Sequence, residues 1–233
     1  MPNFGPGSTL PSTKVLVCPY FGVLPSWMNH YWENAERLQE HGYNFLLDDD
    51  EDAFRSRVRE LLDIEPPPMY GTGKVWDFRP ALGYLYAQEL EGFEWWGHTD
   101  FDCVYGRVER WLTDEVLADL DIFSNHIDYI CGPWTLYRNC KLVNELFLED
   151  PFWAAEMQDP HATGWAERSF TATVDAHHQA GELRRRYELW QTRDWDSFDT
   201  LRLHPDGRLT EGREEVMMAH FRRTKEYPRG CIL

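Results

Sequence analysis

Residues 93–106 read FEWWGHTDFDCVYG. The apolar run Phe93–Gly97 gives way directly to His98-Thr99-Asp100-Phe101-Asp102. A short aromatic run of this kind suits a buried strand. In extended backbone, residues i and i+2 face the same way, so Asp100 and Asp102 are expected to converge. Ligands of open α/β sheets bind at the carboxyl ends of the strands. Two carboxylates meeting there suit Mg²⁺ or Mn²⁺, hard ions that complete their shell with water and phosphate oxygens. D-x-D alone says little in so acidic a chain, where it recurs at Asp48/Asp50, Asp50/Asp52, Asp119/Asp121 and Asp194/Asp196. Those four read as solvated acidic loops. The Asp100/Asp102 pair differs in its position, directly after a Trp-Trp strand.

Upstream of this strand, residues 14–18 (KVLVC) form an apolar run of the buried-strand type, ended by the turn Pro19-Tyr20-Phe21-Gly22. A helix is expected from Pro25 to His41, with Gly42 as its stop. Tyr43–Leu47 is the next strand, and the acids Asp48–Asp52 lead into a helix ending at Leu62. Strand–helix–strand–helix order implies parallel pairing with covering helices. Residues 63–76 carry Pro66-Pro67-Pro68 and Gly71-Thr72-Gly73 and read as a long connection. A helix follows from Arg79 to Leu90 and stops at Gly92.

Downstream, helical pattern resumes at Val108, with Thr113 as N-cap of a segment running to Leu120. Asp121–Ser124 and Asp128–Cys131 read as short strands, and Thr135–Arg138 leads to a helix over Cys140–Leu148. Residues 150–181 give no clear pattern. Thr200–Leu203 and Arg208–Thr210 flank Pro205-Asp206-Gly207 and read as a hairpin. Glu215–Phe221 is a last strand or short helix. No repeat or linker is visible. The expected organisation is a loose arm over 1–13, one α/β domain over 14–225 and a tail over 226–233.

The chain has 233 residues, 42% of them hydrophobic, enough for one domain with a real core. The net charge of −17 argues against broad nucleic-acid binding. From Glu182 onward, however, 11 basic and 10 acidic residues nearly balance. No apolar run reaches the roughly 18–20 residues of a membrane-spanning helix, and no signal peptide or prenylation box is visible. The five cysteines include no C-x-x-C pair, which favours reduced thiols over a disulfide framework or a thiolate zinc site. The expected location is the cytoplasm, a host's cytoplasm if the chain is phage-encoded.

The segment 97–106, G-H-T-D-F-D-C-V-Y-G, resembles the D-x-D region of GT-A-type glycosyltransferases, above all a group of small, little-characterised bacterial and phage ones. Other stretches resemble that group in order: the opening strand into Pro19-Tyr20-Phe21-Gly22, Lys74–Gly83 (KVWDFRPALG), Thr135–Asn139 (TLYRN), and His220-Phe221 before basic residues. The similarity spans residues 14–148 and 205–225 and leaves 150–200 unmatched. It implies a single-domain α/β fold, a GT-A-like Rossmann-type mixed sheet flanked by helices. It also implies a nucleoside diphosphate sugar donor, usually a UDP-sugar, bound with Mn²⁺ or Mg²⁺. By match, Asp102 ligates the ion, Asp100 ligates it or touches the donor's ribose, and His220 is the third protein ligand. Pro19 and Tyr20 would lie against the donor.

Read as residues alone, several of these positions have plainer alternatives. His220, in VMMAHF, is a core or edge histidine or a ligand. Arg79 would meet the donor diphosphate and Asp77 the sugar or ribose hydroxyls, or the two are a helix-start acid and a surface ion pair. Lys74 is a second phosphate contact or an exposed loop lysine. Arg138 and Asn139 line the sugar pocket or cap a strand end. Trp95 and Trp96 read as core, and Trp134, beside Gly132-Pro133, as a sugar-stacking candidate. Glu167, in an irregular region, is the candidate general base. Arg184-Arg185-Arg186 reads as a solvated face or ion-pair network. The leading function is transfer of a sugar to a surface glycan or, less favoured, a modified DNA base. Two other classes could use the same features: a metal-dependent nucleotidyltransferase or phosphohydrolase, and a non-catalytic carbohydrate-binding module.

Overall fold

A computed structural model of the chain describes residues 14–24, 28–130, 132–190 and 201–221. The expected arm (1–13), the tail (226–233), the first turn of the helix proposed at Pro25, and Cys131 and Cys231 lie outside the described residues.

Strand β1 (Lys14–Pro19) is followed by α1 (Met28–Gln39), β2 (Tyr43–Asp48) and α2 (Glu51–Leu62). The acidic burst before α2 has a local purpose: Asp50 is the N-cap and its side chain accepts from the Ala53 N–H, while Glu51 and Asp52 sit in the first turn. Gly42, at φ +84°, turns the chain from α1 into β2. A 3₁₀ helix (Gly73–Ala81) then runs into a single α turn, α3 (Leu82–Leu85). The continuous helix expected over 79–90 is therefore replaced by tighter winding that starts earlier. Thr72 caps it by accepting from the Lys74 N–H, and Pro80, which lacks an N–H, interrupts α-type bonding.

Strand β3 (Trp95–Thr99) lies two residues later than its expected span, and β4 (Cys103–Tyr105) follows after a turn. Thr113 caps α4 (Asp114–Ala118), which is shorter than expected. Next come β5 (Ile122–Ser124), β6 (Trp134–Arg138) and α5 (Lys141–Glu145), the last prolonged by a 3₁₀ turn, Leu146–Glu149. The strand expected at Asp128–Cys131 is a bend over 128–130, where Ser124 Oγ donates to the Tyr129 carbonyl. The segment without clear sequence pattern holds α6 (Trp153–Gln158) and α7 (Ser169–Gln179). Then come β7 (Arg185–Tyr187), β8 (Leu201–Leu203), β9 (Leu209–Glu211), β10 (Glu214–Val216) and β11 (Met218–His220). The hairpin β8–β9 turns at Gly207, φ +80°. Glu215–Phe221 thus divides into two short strands.

The central sheet has six strands in the order β2-β1-β3-β6-β5-β7. β1 pairs parallel with β2 and β3, and β5 with β7, while β6 runs antiparallel to β3 and β5. The fold is a single α/β domain with a mixed sheet flanked by helices. Alternation along the strands builds two cores. Val15, Val17, Trp96, Ile122 and Tyr137 face Phe54, Val58, Leu82 and Phe170 of α2, α3 and α7. Leu16, Trp95, Phe123 and Leu136 face Tyr31 and Leu38 of α1 and Leu117 of α4. Trp96 stacks on Tyr137 at 4.2 Å between ring centres, so both Trp95 and Trp96 are core, one on each face.

Candidate functional site

The site stands at the carboxyl edge of β1 and β3. Asp100 follows the last residue of β3, and Phe101 and Asp102 form the turn into β4. The two carboxylates do not meet through extended backbone, as the spacing suggested, because the chain reverses between them. They meet through a third residue from the far end of the chain. β11 pairs antiparallel with β4 and sets His220 opposite Cys103. The Phe221 N–H donates to the Asp102 carbonyl at 2.8 Å and closes the junction. His220 Nε2 then stands 3.3 Å from Asp102 Oδ1 and 3.5 Å from Asp100 Oδ2. On the other side, the Arg79 guanidinium forms an ion pair with Asp100.

Burial raises the Asp100 pKa, and the adjacent Asp102 carboxylate adds to this, against the pull of Arg79 and His220. Burial also pushes Asp102 upward, but the hydrogen bond and positive charge of His220 outweigh it and hold the group below the ordinary carboxylate value. Two adjacent carboxyls with opposite shifts mark a candidate functional centre. Two carboxylates and an imidazole are a donor set that hard and borderline divalent cations accept. Cys103, which the sequence reading passed over, brings its sulfur within 4.8 Å of the ligand atoms of Asp102 and His220. It is also buried among Leu16 and Tyr31, where burial pushes its thiol well up, so it belongs to the core as much as to the site.

Pro19 ends β1 on the same edge, and the Tyr20 ring meets Phe101, between the two acids, edge-on at 5.2 Å. Arg138 and Asn139 are not brought there. β6 is antiparallel to β3 and pairs Arg138 with Trp95, so both residues lie at the opposite end of the sheet. Arg138 donates to the Leu117 carbonyl in the last turn of α4 and to the Leu120 carbonyl just after it, and Asn139 to the Leu90 and Phe93 carbonyls. Trp134 is at the correct end but fully buried, edge-on to Tyr43 and Tyr105, and offers no face for a sugar.

Lys74 and Asp77 are neither exposed nor aimed at the carboxylates. They form a buried pair at 3.0 Å. Asp77 accepts from the N–H groups of Thr163 and Gly164 at 2.8 and 3.0 Å, and its carbonyl accepts from Trp165 Nε1 at 2.8 Å. Lys74 Nζ donates to the Glu156 and His161 carbonyls. The pair thus ties the 3₁₀ helix to residues 156–165. That tie places Glu167, which is exposed, on a depression shared with Trp76 and Arg79. Trp76, which the sequence reading also passed over, is 51% exposed. Val75 and Phe78, three apart, share the buried face of the 3₁₀ helix, but of the two residues between them Asp77 is buried and Trp76 exposed, and the spacing does not tell these two apart. Arg184, Arg185 and Arg186 pair with Asp119 and Asp121, Asp175 and Glu188, respectively. No helix among the described residues is long and apolar enough to cross a membrane.

Among solved structures, the chain is similar to a glycosyltransferase involved in the glycosylation of the major capsid of PBCV-1. The identity is 16% and the TM-score 0.46, covering 90% of this chain and 94% of that one. It is also similar to mouse xyloside xylosyltransferase 1 in its apo form, at 11% identity and TM-score 0.44, covering 92% and 100%. No curated protein matches the sequence. Residues 16–202 match the profile of a family of unknown function (DUF6625), and the chain belongs to that family.

Proposed function

We propose that this family member is a metal-dependent glycosyltransferase that moves a sugar from a nucleoside diphosphate sugar, a UDP-sugar by sequence resemblance, to a hydroxyl of an acceptor glycan. The observation that carries the reading is the meeting of Asp100, Asp102 and His220, with His220 Nε2 at 3.5 and 3.3 Å from the two carboxylates. Two ligands at right angles around an ion with bonds of ~2.1 Å stand about 3 Å apart, close to the spacing of His220 Nε2 from each carboxylate, and Asp102, Cys103 and His220 each bring one ligand atom within 4.8 Å of the other two. When bound, the cation offsets the negative charge that builds on the nucleoside diphosphate as its bond to the sugar breaks.

The chain's own residues supply the rest. Arg79 adds a fixed positive charge beside Asp100, within the field of a diphosphate held there. Pro19 and Tyr20 border the donor on the β1 side. Glu167 takes the proton from the attacking acceptor hydroxyl as general base. The net charge of −17 and the ion-paired arginines of β7 favour a glycan over DNA as acceptor.

The test is a panel of UDP-, GDP- and TDP-sugars with the purified chain and Mn²⁺ or Mg²⁺, read by mass spectrometry for slow release of free sugar. Release from one donor, lost in Asp102→Ala, is expected. Pyrophosphate or phosphate without free sugar would move the reading to a nucleotidyltransferase or phosphohydrolase. Metal-independent glycan binding without turnover would move it to a binding module.

A further inference from the structure

The depression beyond Arg79 has a built character that the metal centre does not explain. One wall is the exposed Trp76 indole, with the Arg79 guanidinium 5.9 Å from its ring centre. Glu167 also lines the depression, together with Asp77 and the small residues Ala162, Gly164 and Ala166. Gly164 has φ +64°, and a Cβ there would meet nothing within 4 Å, so the open space is real. The indole, 51% exposed, presents a flat apolar face at the rim of this depression. An aromatic face beside a carboxylate and a guanidinium suits a pyranose: its C–H face stacks on the ring and its hydroxyls bond to the charged groups.

The seat is also held rigidly. Loop 161–165 would otherwise be free to leave. Asp77 pins it through two backbone N–H groups and the indole N–H of Trp165, and Lys74 pins it through the His161 carbonyl while also holding the Glu156 carbonyl of α6. A buried ion pair is a poor source of stability but a good source of fixed geometry. Arg79 belongs to both places, paired with Asp100 on one side and lining the depression on the other. The seat therefore adjoins the metal centre without overlapping it.

The geometry points to this depression as the seat of the acceptor, a pyranose ring stacked on Trp76 with a hydroxyl on Glu167, and to Lys74–Asp77 as the pair that positions it. The acceptor's assignment rests on the glycosyl-transfer reading; the sugar seat itself does not. The full chain, ¹⁵N-labelled at tryptophan, is titrated with methyl β-D-glucopyranoside and methyl β-D-galactopyranoside and followed by the indole N–H resonances. The Trp76 signal is identified by its loss in Trp76→Phe. Nucleoside diphosphate binding with Mg²⁺ is measured separately by calorimetry.

A saturable shift of the Trp76 signal by at least one glycoside is expected. Trp76→Ala abolishes binding, and Glu167→Gln weakens it about tenfold, as loss of a charged hydrogen bond should. Asp77→Asn, which keeps the shape but weakens the grip on the loop, reduces glycoside affinity while leaving diphosphate affinity unchanged. A merely structural role would not split the two. Trp76 signals unmoved by both glycosides, or affinity unchanged in Trp76→Ala, overturn the seat even if a donor still turns over. A responsive Trp76 in a chain that binds no nucleoside diphosphate keeps the seat and removes the transferase reading.

Discussion

His220 Nε2 lies 3.3 Å from Asp102 Oδ1 because β11 pairs with β4, not because either residue belongs to the main sheet. The contact is made across a two-stranded ribbon that also carries Cys103. The ribbon is held in turn by α1, where Asn34 Oδ1 accepts from the Tyr105 N–H at 2.6 Å and Asn34 Nδ2 donates to the Tyr105 carbonyl. His220→Ala should therefore leave the ribbon's backbone pairing intact and remove one ligand. Loss of groups that merely support ligands costs about 10–100-fold in metal affinity. Removal of a ligand should cost at least about tenfold, read as Mn²⁺ binding by electron paramagnetic resonance. Unchanged affinity would take His220 out of the centre.

Lys74→Met tests the buried pair. Asp77 would stay at 2% side-chain exposure with its cationic partner gone. Breaking one side of such a pair costs about 3–5 kcal/mol. The urea midpoint should fall accordingly, and limited proteolysis should begin within residues 156–165, the segment Lys74 holds.

Gly97 lies where β3 passes β6. A Cβ there would sit 2.2 Å from the Thr135 carbonyl oxygen, a backbone atom with little room to yield. Gly97→Ala is expected to cost at least 1–3 kcal/mol, the usual range for overpacking, measured by chemical denaturation. A neutral result would mean that the two strands separate more easily than their buried setting indicates.

Burial pushes the Cys18 thiol from 9.0 up to about 12. The folded chain thus keeps this proton at pH values where the unfolded chain loses it. Its contribution to stability is complete below pH 9 and declines as pH rises from there towards 12. At neutral pH, iodoacetamide should modify half-buried Cys140 in the native protein and spare Cys18 until urea unfolds it. Mass spectrometry of the labelled peptides decides this. Native labelling of Cys18 would place it nearer solvent than its 3% exposure allows.

What the sequence revealed, and what it did not, follows from how local each cause is. β1, β2 and α2 were legible because an apolar run, a glycine stop and Asp50 act within a few residues. The β8–β9 hairpin was legible from Asp206-Gly207, and the start of α4 from Thr113. Lys74 and Asp77 were misread because their partners lie near residue 160, and nothing in KVWDFRP reveals a loop so distant. Arg138 was misplaced because the order of elements does not state that β6 runs against β3, and direction decides which end of the sheet a residue reaches. Trp134 was misjudged for a related reason. Gly132-Pro133 beside it suggests a surface turn, yet Tyr43 and Tyr105 enclose the ring from other strands. Asp100 and Asp102 were singled out by their place after the Trp-Trp strand, and His220 through a resemblance; the β4–β11 pairing that brings them together has no short-range signature.

That pairing also orders events during synthesis. Every strand of the six-stranded sheet, through β7, emerges before His220 does. The sheet can therefore assemble around its two cores while the carboxylates still lack their imidazole neighbour. The nascent chain would pass through a folded stage in which Asp100 and Asp102 still lack His220, until β11 leaves the ribosome.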